Sequence, residues 1–130
     1  MSVHYTIDSA QRTIFVSATG DLNRSMLETA FDQMCADPAF DPLFDTCADF
    51  SAVSYLDLDM VDIQKLVAHT MCEKIDRGRF AIITGEDQGR YSLGVYFKAL
   101  SESVHETRQR IFRTAAEAQA WLTAEPAPIA

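Results

Sequence analysis

Two acidic residues at alternate positions, Asp57 and Asp59, are the first candidates for chemistry in this sequence. Two carboxylates held close together raise the pKa of one of them, and such a pair can act as general acid and base. The same residues also suit the start of a helix, where carboxylates accept the free backbone N–H groups and face the positive end of the helix dipole. Because an apolar helical pattern begins directly afterwards at Met60, we favour the structural interpretation.

A second candidate pairs His69 with Cys72, three residues apart and therefore on one face of a helix, with Glu73 beside them. Imidazole and thiolate are ligands that zinc accepts. A metal site needs at least one further ligand, and no local spacing of Cys or His supplies it. The pattern therefore favours ordinary helix packing, and we predict no metal site.

A glycine-bounded loop, Gly85–Gly89, follows a short apolar run, a position where backbone N–H groups can hold an anion. The loop lacks the Gly-Lys-Ser/Thr of a phosphate-binding loop, and Glu86 and Asp87 would repel phosphate. The sequence also contains no Gly-x-Ser-x-Gly nucleophile elbow. We therefore predict that the protein is not an enzyme and requires no cofactor.

These residues belong to a chain of 130 residues, 48% of them hydrophobic and 23% charged, which predicts one globular domain. A net charge of −8 disfavours nucleic-acid binding, and no run approaches the ~18 apolar residues of a membrane span, so we predict no stable membrane insertion. Residues 1–64 hold two basic against eleven acidic side chains, whereas residues 65–130 hold nine against eight. The acidic half either keeps the protein soluble or meets a basic partner. Three cysteines without a CxxC pair and no signal-peptide pattern predict a cytoplasmic protein.

Hydrophobic periodicity divides the chain into strands and helices. Five segments have the pattern of a strand, with Gly20 ending the second: Val3–Ile7, Arg12–Thr19, Leu43–Phe50, Phe80–Ile83 and Thr107–Arg113. Four helical stripes accompany them: Arg24–Ala36 capped by Asn23, Met60–Met71, Leu93–Leu100, and a short helix opened by Thr114–Glu117. The order predicts an α/β fold with a single mixed, mainly parallel sheet, an N-terminal antiparallel hairpin and helices mostly on one face. We expect residues 1–123 to form this domain and residues 124–130 to be a frayed tail.

The stretch from Ala48 to Met60 resembles the signature of the STAS family, the anti-sigma-factor antagonists and their relatives. That signature has a strand ending in Asp-Leu-Ser, then Val-x-Phe, then Asp-Ser-Ser-Gly at a helix start. The matching residues here are Asp49-Phe50-Ser51, Val53-x-Tyr55 and Asp57.

The C-terminal half, from Arg77 to Ile83 and from Arg110 to Leu122, resembles the SpoIIAA-like branch, which is grouped with lipid-binding Sec14-type domains. Its recurring ending is an aromatic residue, a Glu-Ala pair and a Trp-Leu pair. Together the two resemblances cover nearly the whole chain and imply a SpoIIAA-like fold.

The resemblance implies a non-catalytic module that binds a partner protein through the loop between the third strand and the second helix. In the antagonists a kinase phosphorylates the second serine of Asp-Ser-Ser-Gly, and that position here is Asp59. A carboxylate cannot accept phosphate from a serine kinase, so we expect the usual phosphorylation switch to be missing. Ser54 or Ser51 could substitute in principle, but nothing in the sequence favours either. Asp59 would present a constant charge to a basic partner, and Tyr55 would provide an anchor. The predicted binding residues are Ser54, Tyr55, Asp57, Leu58 and Asp59.

The Sec14-type resemblance implies a second function, a small carrier or sensor of an apolar, lipid-like ligand held between helices and sheet. Five side chains at helical spacing either fill the core or open such a pocket: Phe31, Met34, Tyr96, Phe97 and Trp121. A sheet covered on one side also leaves a face or an edge that a homodimer would cover.

Overall fold

In the computed structural model, which describes residues 3–71, 76–104 and 108–124, five strands form one sheet in the order β1-β2-β3-β4-β5. The strands are β1 (Val3–Asp8), β2 (Thr13–Asn23), β3 (Asp45–Asp57), β4 (Phe80–Ile83) and β5 (Gln109–Phe112). The helices are α1 (Arg24–Ala36), α2 (Met60–Thr70), α3 (Gln88–Val104) and α4 (Ala115–Thr123). β1 and β2 pair antiparallel, and the other neighbouring strands pair parallel. The predicted α/β class, mixed sheet and N-terminal hairpin are confirmed.

The sheet has two different faces because side chains alternate along each strand. The first face includes Val16 and Ala48, and α1, α2 and α3 pack over it. The second face includes Cys47 and Ala81, which pack against Ala118 of α4. Three helices on one face and one on the other confirm the prediction that the helices lie mostly on one face.

The starts of α1 and α4 lie where the sequence predicts caps. Asn23 Oδ1 accepts the backbone N–H of Met26 at 3.0 Å, and the hydroxyl of Thr114 accepts that of Glu117 at 3.3 Å. Each bond satisfies a donor that the first turn of a helix leaves free.

β2 and β3 are longer than the sequence predicted, and this correction changes the position of the candidate site. β2 does not end at Gly20. That residue takes a positive φ of 70°, and shifts in the β2–β3 register after Ser17 and Gly20 accommodate the irregularity. β2 therefore continues to Asn23. β3 likewise continues past Phe50 to Asp57, paired with β2 along this length.

The second face is open beside α4, where His4, Thr6 and Ser17 are exposed. A homodimer that covers this face or an edge of the sheet stays a prediction. Of the expected tail, residues 125–130 lie outside the described part of the chain. Among the described helices, none combines the length and hydrophobicity needed to cross a membrane.

Candidate functional site

The β2–β3 arm, residues 19–23 paired with residues 52–57, extends beyond the pairing of the other strands. The last β3–β4 pair is Asp49 with Ile83, and β1 reaches only Ala18 of β2. Within the described residues the arm is therefore two-stranded, and its side chains lie at the end of the sheet from which α2 begins.

The five predicted binding residues lie together at the end of this arm. Ser54, Tyr55 and Asp57 belong to β3 itself and are exposed, which corrects their predicted place in a loop. The connection to α2 consists of Leu58 and Asp59 alone. Asp59 is exposed, whereas Leu58 is half-buried and points into the interior.

Large apolar side chains are exposed around this connection. Tyr55 is 61% exposed, Met60 58% and Val61 53%. The sequence predicted that Met60 would face the core, but it is the first residue of α2, and the buried stripe of that helix begins at Ile63. Apolar side chains grouped in this way and flanked by carboxylates are typical of protein-binding surfaces. We call the following residues the arm surface: Tyr55, Asp57, Asp59, Met60 and Val61.

Asp59 caps α2. Its Oδ1 accepts the backbone N–H of Asp62 at 2.8 Å, and the Asp62 carboxylate accepts the backbone N–H of Asp59 at 3.1 Å, which forms a reciprocal capping box. The bond from Asp59 and the pairing with Arg24, 3.2 Å from Nε to Oδ1, hold the pKa of Asp62 below its ordinary value. The predicted structural role at the helix start thus belongs to Asp59, whereas Asp57 pairs with Asn23 in the sheet.

Ser51 and Ser54, the two serines near the arm, form different hydrogen bonds. Ser51 Oγ donates to Asp49 Oδ1 at 2.6 Å, so its hydroxyl is bound within its own strand. Ser54 is held through its backbone, since its carbonyl oxygen accepts from Arg90 Nη2 at 3.4 Å. Neither serine occupies the cap position of α2, which Asp59 fills.

His69 packs between α1 and α2. Its Nε2 lies 2.8 Å from Asp32 Oδ1, and its ring meets Phe31 edge-on with centroids 6.0 Å apart. Cys72 and Glu73, the other members of the metal hypothesis, lie outside the described residues. Among residues 3–71, 76–104 and 108–124, no group of three His, Cys, Asp or Glu side chains could hold a metal.

The glycine-bounded loop serves as a cap for α3. Asp87 Oδ1 accepts the backbone N–H of Arg90 at 2.9 Å, and its carbonyl accepts that of Tyr91 at 3.1 Å. Gly85 takes a positive φ of 78°, which a turn at this point requires. A carboxylate from the chain itself therefore occupies the helix start where a phosphate would have to bind.

A cavity of about 190 Å³ lies between the first face of the sheet and α1, α2 and α3. Its lining is almost wholly apolar and includes Phe31, Met34 and Phe97, three of the side chains considered for a ligand pocket. Tyr96 instead accepts a hydrogen bond from Gln64 Nε2 at 3.1 Å. Trp121 packs on Phe112 on the second face, with ring centroids 5.7 Å apart, and so cannot line this cavity.

Two polar residues of the lining, Arg77 and Gln109, were not singled out from the sequence as site residues. Both carry buried side-chain atoms without a hydrogen-bond partner. For Gln109 the signal is the alternation with Arg108 and Arg110, which places it on the other face of β5; Arg77 precedes β4, where a polar residue is ordinarily exposed.

Comparisons with known proteins identify the fold. No protein-family profile matches the sequence, and no curated protein is significantly similar to it in sequence. The structure is similar to an uncharacterized protein of the DUF3478 family with a SpoIIAA-like fold from Shewanella loihica PV-4, with a TM-score of 0.55, 19% identity, and 93% of this chain and 94% of that chain covered. It is also similar to an anti-sigma factor antagonist from Mycobacterium paratuberculosis, with a TM-score of 0.57, 20% identity and the same coverage. The chain therefore has the SpoIIAA-like fold that its sequence motifs predict.

Proposed function

We propose that the chain is a regulatory module that binds a partner protein through the arm surface. The observation that supports this most strongly is the exposure of Tyr55, Met60 and Val61 beside the carboxylates of Asp57 and Asp59. One solved structure of the same fold is that of an anti-sigma factor antagonist, which makes regulation by protein binding the first function to test. The proposed role is binding without catalysis.

The proposed partner presents an apolar pocket surrounded by basic residues. Tyr55 is the anchor, because tyrosine combines a large apolar ring with a polar tip and dominates many interfaces. Asp57 and Asp59 would steer a basic surface toward it, and added salt would slow association because it screens charges at the rim.

Binding is proposed to be constitutive rather than switched by phosphorylation at the helix cap. Asp59 needs no phosphorylation to provide an acidic group at the cap, and it is exposed. Asp59→Asn keeps a good cap but removes that charge, so it separates the role of the charge from the role of the cap. We expect this variant to keep α2 intact and to weaken binding a few-fold.

Site-specific photo-cross-linking tests the proposal. A photoreactive phenylalanine analogue replaces Tyr55, and in a matched control it replaces Leu43, which is 57% exposed in the segment before β3. In the cells that produce the protein, a partner should be captured from position 55 and not from position 43. With the purified partner, Tyr55→Ala should raise Kd at least about tenfold and Leu43→Ala should leave it unchanged. Equal capture at both positions, or an unchanged Kd for Tyr55→Ala, would contradict the proposal.

The cavity supports a second candidate function, a carrier or sensor of an apolar ligand. Leu58 connects the two candidates, because it lines the cavity and stands between Asp57 and Asp59 of the arm surface. Native mass spectrometry of protein purified from its own cells tests this function. A stoichiometric extra mass that organic solvent extracts would support it, whereas a bare chain would count against it.

A further inference from the structure

Gln109 is an unpaired amide in an apolar interior. It is the first residue of β5 and is only 4% exposed, and it lines the cavity. Both its Nε2 and its Oε1 lack a hydrogen-bond partner among the described residues. Buried amides are nearly always hydrogen-bonded, since leaving one unpaired forfeits its bonds to water. The exception indicates that a group from outside the chain completes this site.

Arg77 lines the same cavity and is also incompletely paired. Its Nε is buried without a partner, and its guanidinium lies 5.4 Å from the ring centroid of Phe40. Burial lowers the pKa of this side chain, and in the described residues no carboxylate forms an ion pair with it. An anion stabilises a cation that is partly withdrawn from water, so a group that completes this site would carry negative charge.

The two polar residues belong to one end of the cavity. The register of the sheet places Gln109 of β5, Phe80 of β4 and Thr46 of β3 side by side. Arg77 precedes Phe80 by three residues and so lies at the same end of the strands. Phe50 lines the cavity four residues farther along β3, so the cavity extends over about 13 Å from the polar end. Leu56 and Leu58 line its other end, beside the arm surface.

We propose that the cavity binds a medium-chain monocarboxylic acid, with its carboxyl group on Arg77 and Gln109 and its chain directed toward Leu58. Arg77 Nε–H and Gln109 Nε2–H would donate to the carboxylate oxygens, and Gln109 Oε1 would accept from a bound water. The assignment deepens the carrier or sensor function and rests on it.

The dimensions of the cavity favour this class of ligand over others. An almost wholly apolar lining that extends over at least about 13 Å matches the length and chemistry of an extended acyl chain. A phosphate monoester carries nearly two negative charges and needs more donors than one guanidinium and one amide provide. A carboxylate carries the single charge that Arg77 can neutralise.

Titration of the delipidated protein with decanoate tests the assignment, with decanol as the matched ligand that lacks the carboxylate. Decanoate should bind with one molecule per chain and at least about tenfold more tightly than decanol. Arg77→Met should weaken decanoate about ten- to a hundredfold without changing the affinity for decanol. Arg110→Met, an exposed change on the same strand as Gln109, should leave both affinities unchanged.

The outcomes separate the headgroup assignment from the carrier function. Equal binding of decanoate and decanol, or an unchanged decanoate affinity in Arg77→Met, would overturn the assignment of the carboxyl group and leave the carrier function standing. Failure of both ligands to bind would overturn both.

Gln109→Leu provides a second variant that removes the unpaired amide and should fold at least as well as the native chain. NMR of carboxyl-labelled decanoate adds a readout of the carboxyl group itself, since its signal should move on binding to the native chain and should move less on binding to Arg77→Met.

Discussion

Arg77 and Arg79 stand two residues apart before β4, yet they belong to opposite faces of the sheet. On the second face Arg79 forms a bidentate pair with Asp45, with Nη2 2.8 Å from Oδ2, and its guanidinium lies 5.5 Å from the Trp121 ring. Its remaining donors bind the backbone carbonyls at the end of α4, at 3.0 Å for Trp121 and 2.8 Å for Leu122. On the first face Arg77 lies beside the cavity with its Nε unpaired.

The difference between the two arginines separates a structural role from a binding role. Arg79 fastens the last helix to the sheet, because its donors bind both β3 and the end of α4. Arg77 forms no ion pair within the part of the chain that the structure describes, and its buried Nε has no hydrogen-bond partner there. A buried polar side chain whose hydrogen bonds are all made within the protein stabilises the fold. A buried polar side chain that lacks such partners is a candidate to bind a ligand.

The largest effect is expected for Arg79→Met. Removing one partner of a pair whose side chains are 11% and 21% exposed leaves Asp45 without its counterion and the carbonyls of α4 without donors, so the free energy of unfolding should fall by about 2–4 kcal/mol. Arg77→Met is the matched change on the other face. It should leave the free energy of unfolding unchanged or raise it, because the variant no longer has to take a charge out of water. Urea denaturation monitored by circular dichroism measures both. Equal losses in the two variants would show that the arginines do not differ in role.

A smaller effect of opposite sign is expected for Gln109→Leu. Replacing an unpaired buried amide with an apolar side chain of similar size should raise the free energy of unfolding by about 1 kcal/mol. The control is Gln119→Leu on the exposed surface of α4, which should change it little. A loss of stability in Gln109→Leu would mean that the amide is paired in solution, and the contrast between the two faces would weaken.

Local signals in the sequence predicted the elements whose limits are set locally. α1 begins after Asn23 because that side chain accepts a backbone N–H of the first turn, and β4 is a short, mostly buried apolar run between β3 and β5. The β2–β3 arm had no such signal. Its backbone hydrogen bonds come from pairing between distant segments, and its exposed side chains have the composition of a loop.

The candidate site was predicted in part for the same reason. The resemblance located the residues from Ser54 to Asp59, and the structure places them together at the end of the arm. Gln109 and Arg77 were missed because burial of a polar side chain depends on which elements pack over it. The alternation of Arg108 and Arg110 around Gln109 indicates only that Gln109 faces the other side of the strand, and whether helices cover that side is a property of the tertiary structure.

A moderate, pH-dependent effect is expected for Asp62→Asn in the capping box of α2, on the side of the cavity. The pKa of Asp62 is lowered in the folded state, so its carboxylate contributes stability above its unfolded pKa and loses that contribution as the pH falls through the folded pKa. Thermal midpoints should therefore be lower in Asp62→Asn than in the native chain near neutral pH and should converge in acid. A constant difference at every pH would contradict the role assigned to the charge.

The smallest effect on stability is expected for Tyr55→Ala, because an exposed ring contributes little to the fold. Tyr55 is 61% exposed, so truncating its ring removes little buried contact, and the free energy of unfolding should change by no more than about 0.5 kcal/mol. Tyr55→Ala should weaken partner binding strongly, whereas the main effect of Arg79→Met should be a loss of stability. If Tyr55→Ala destabilises the fold as much as a core truncation, the ring packs on the arm in solution, and its exposure no longer argues for a partner.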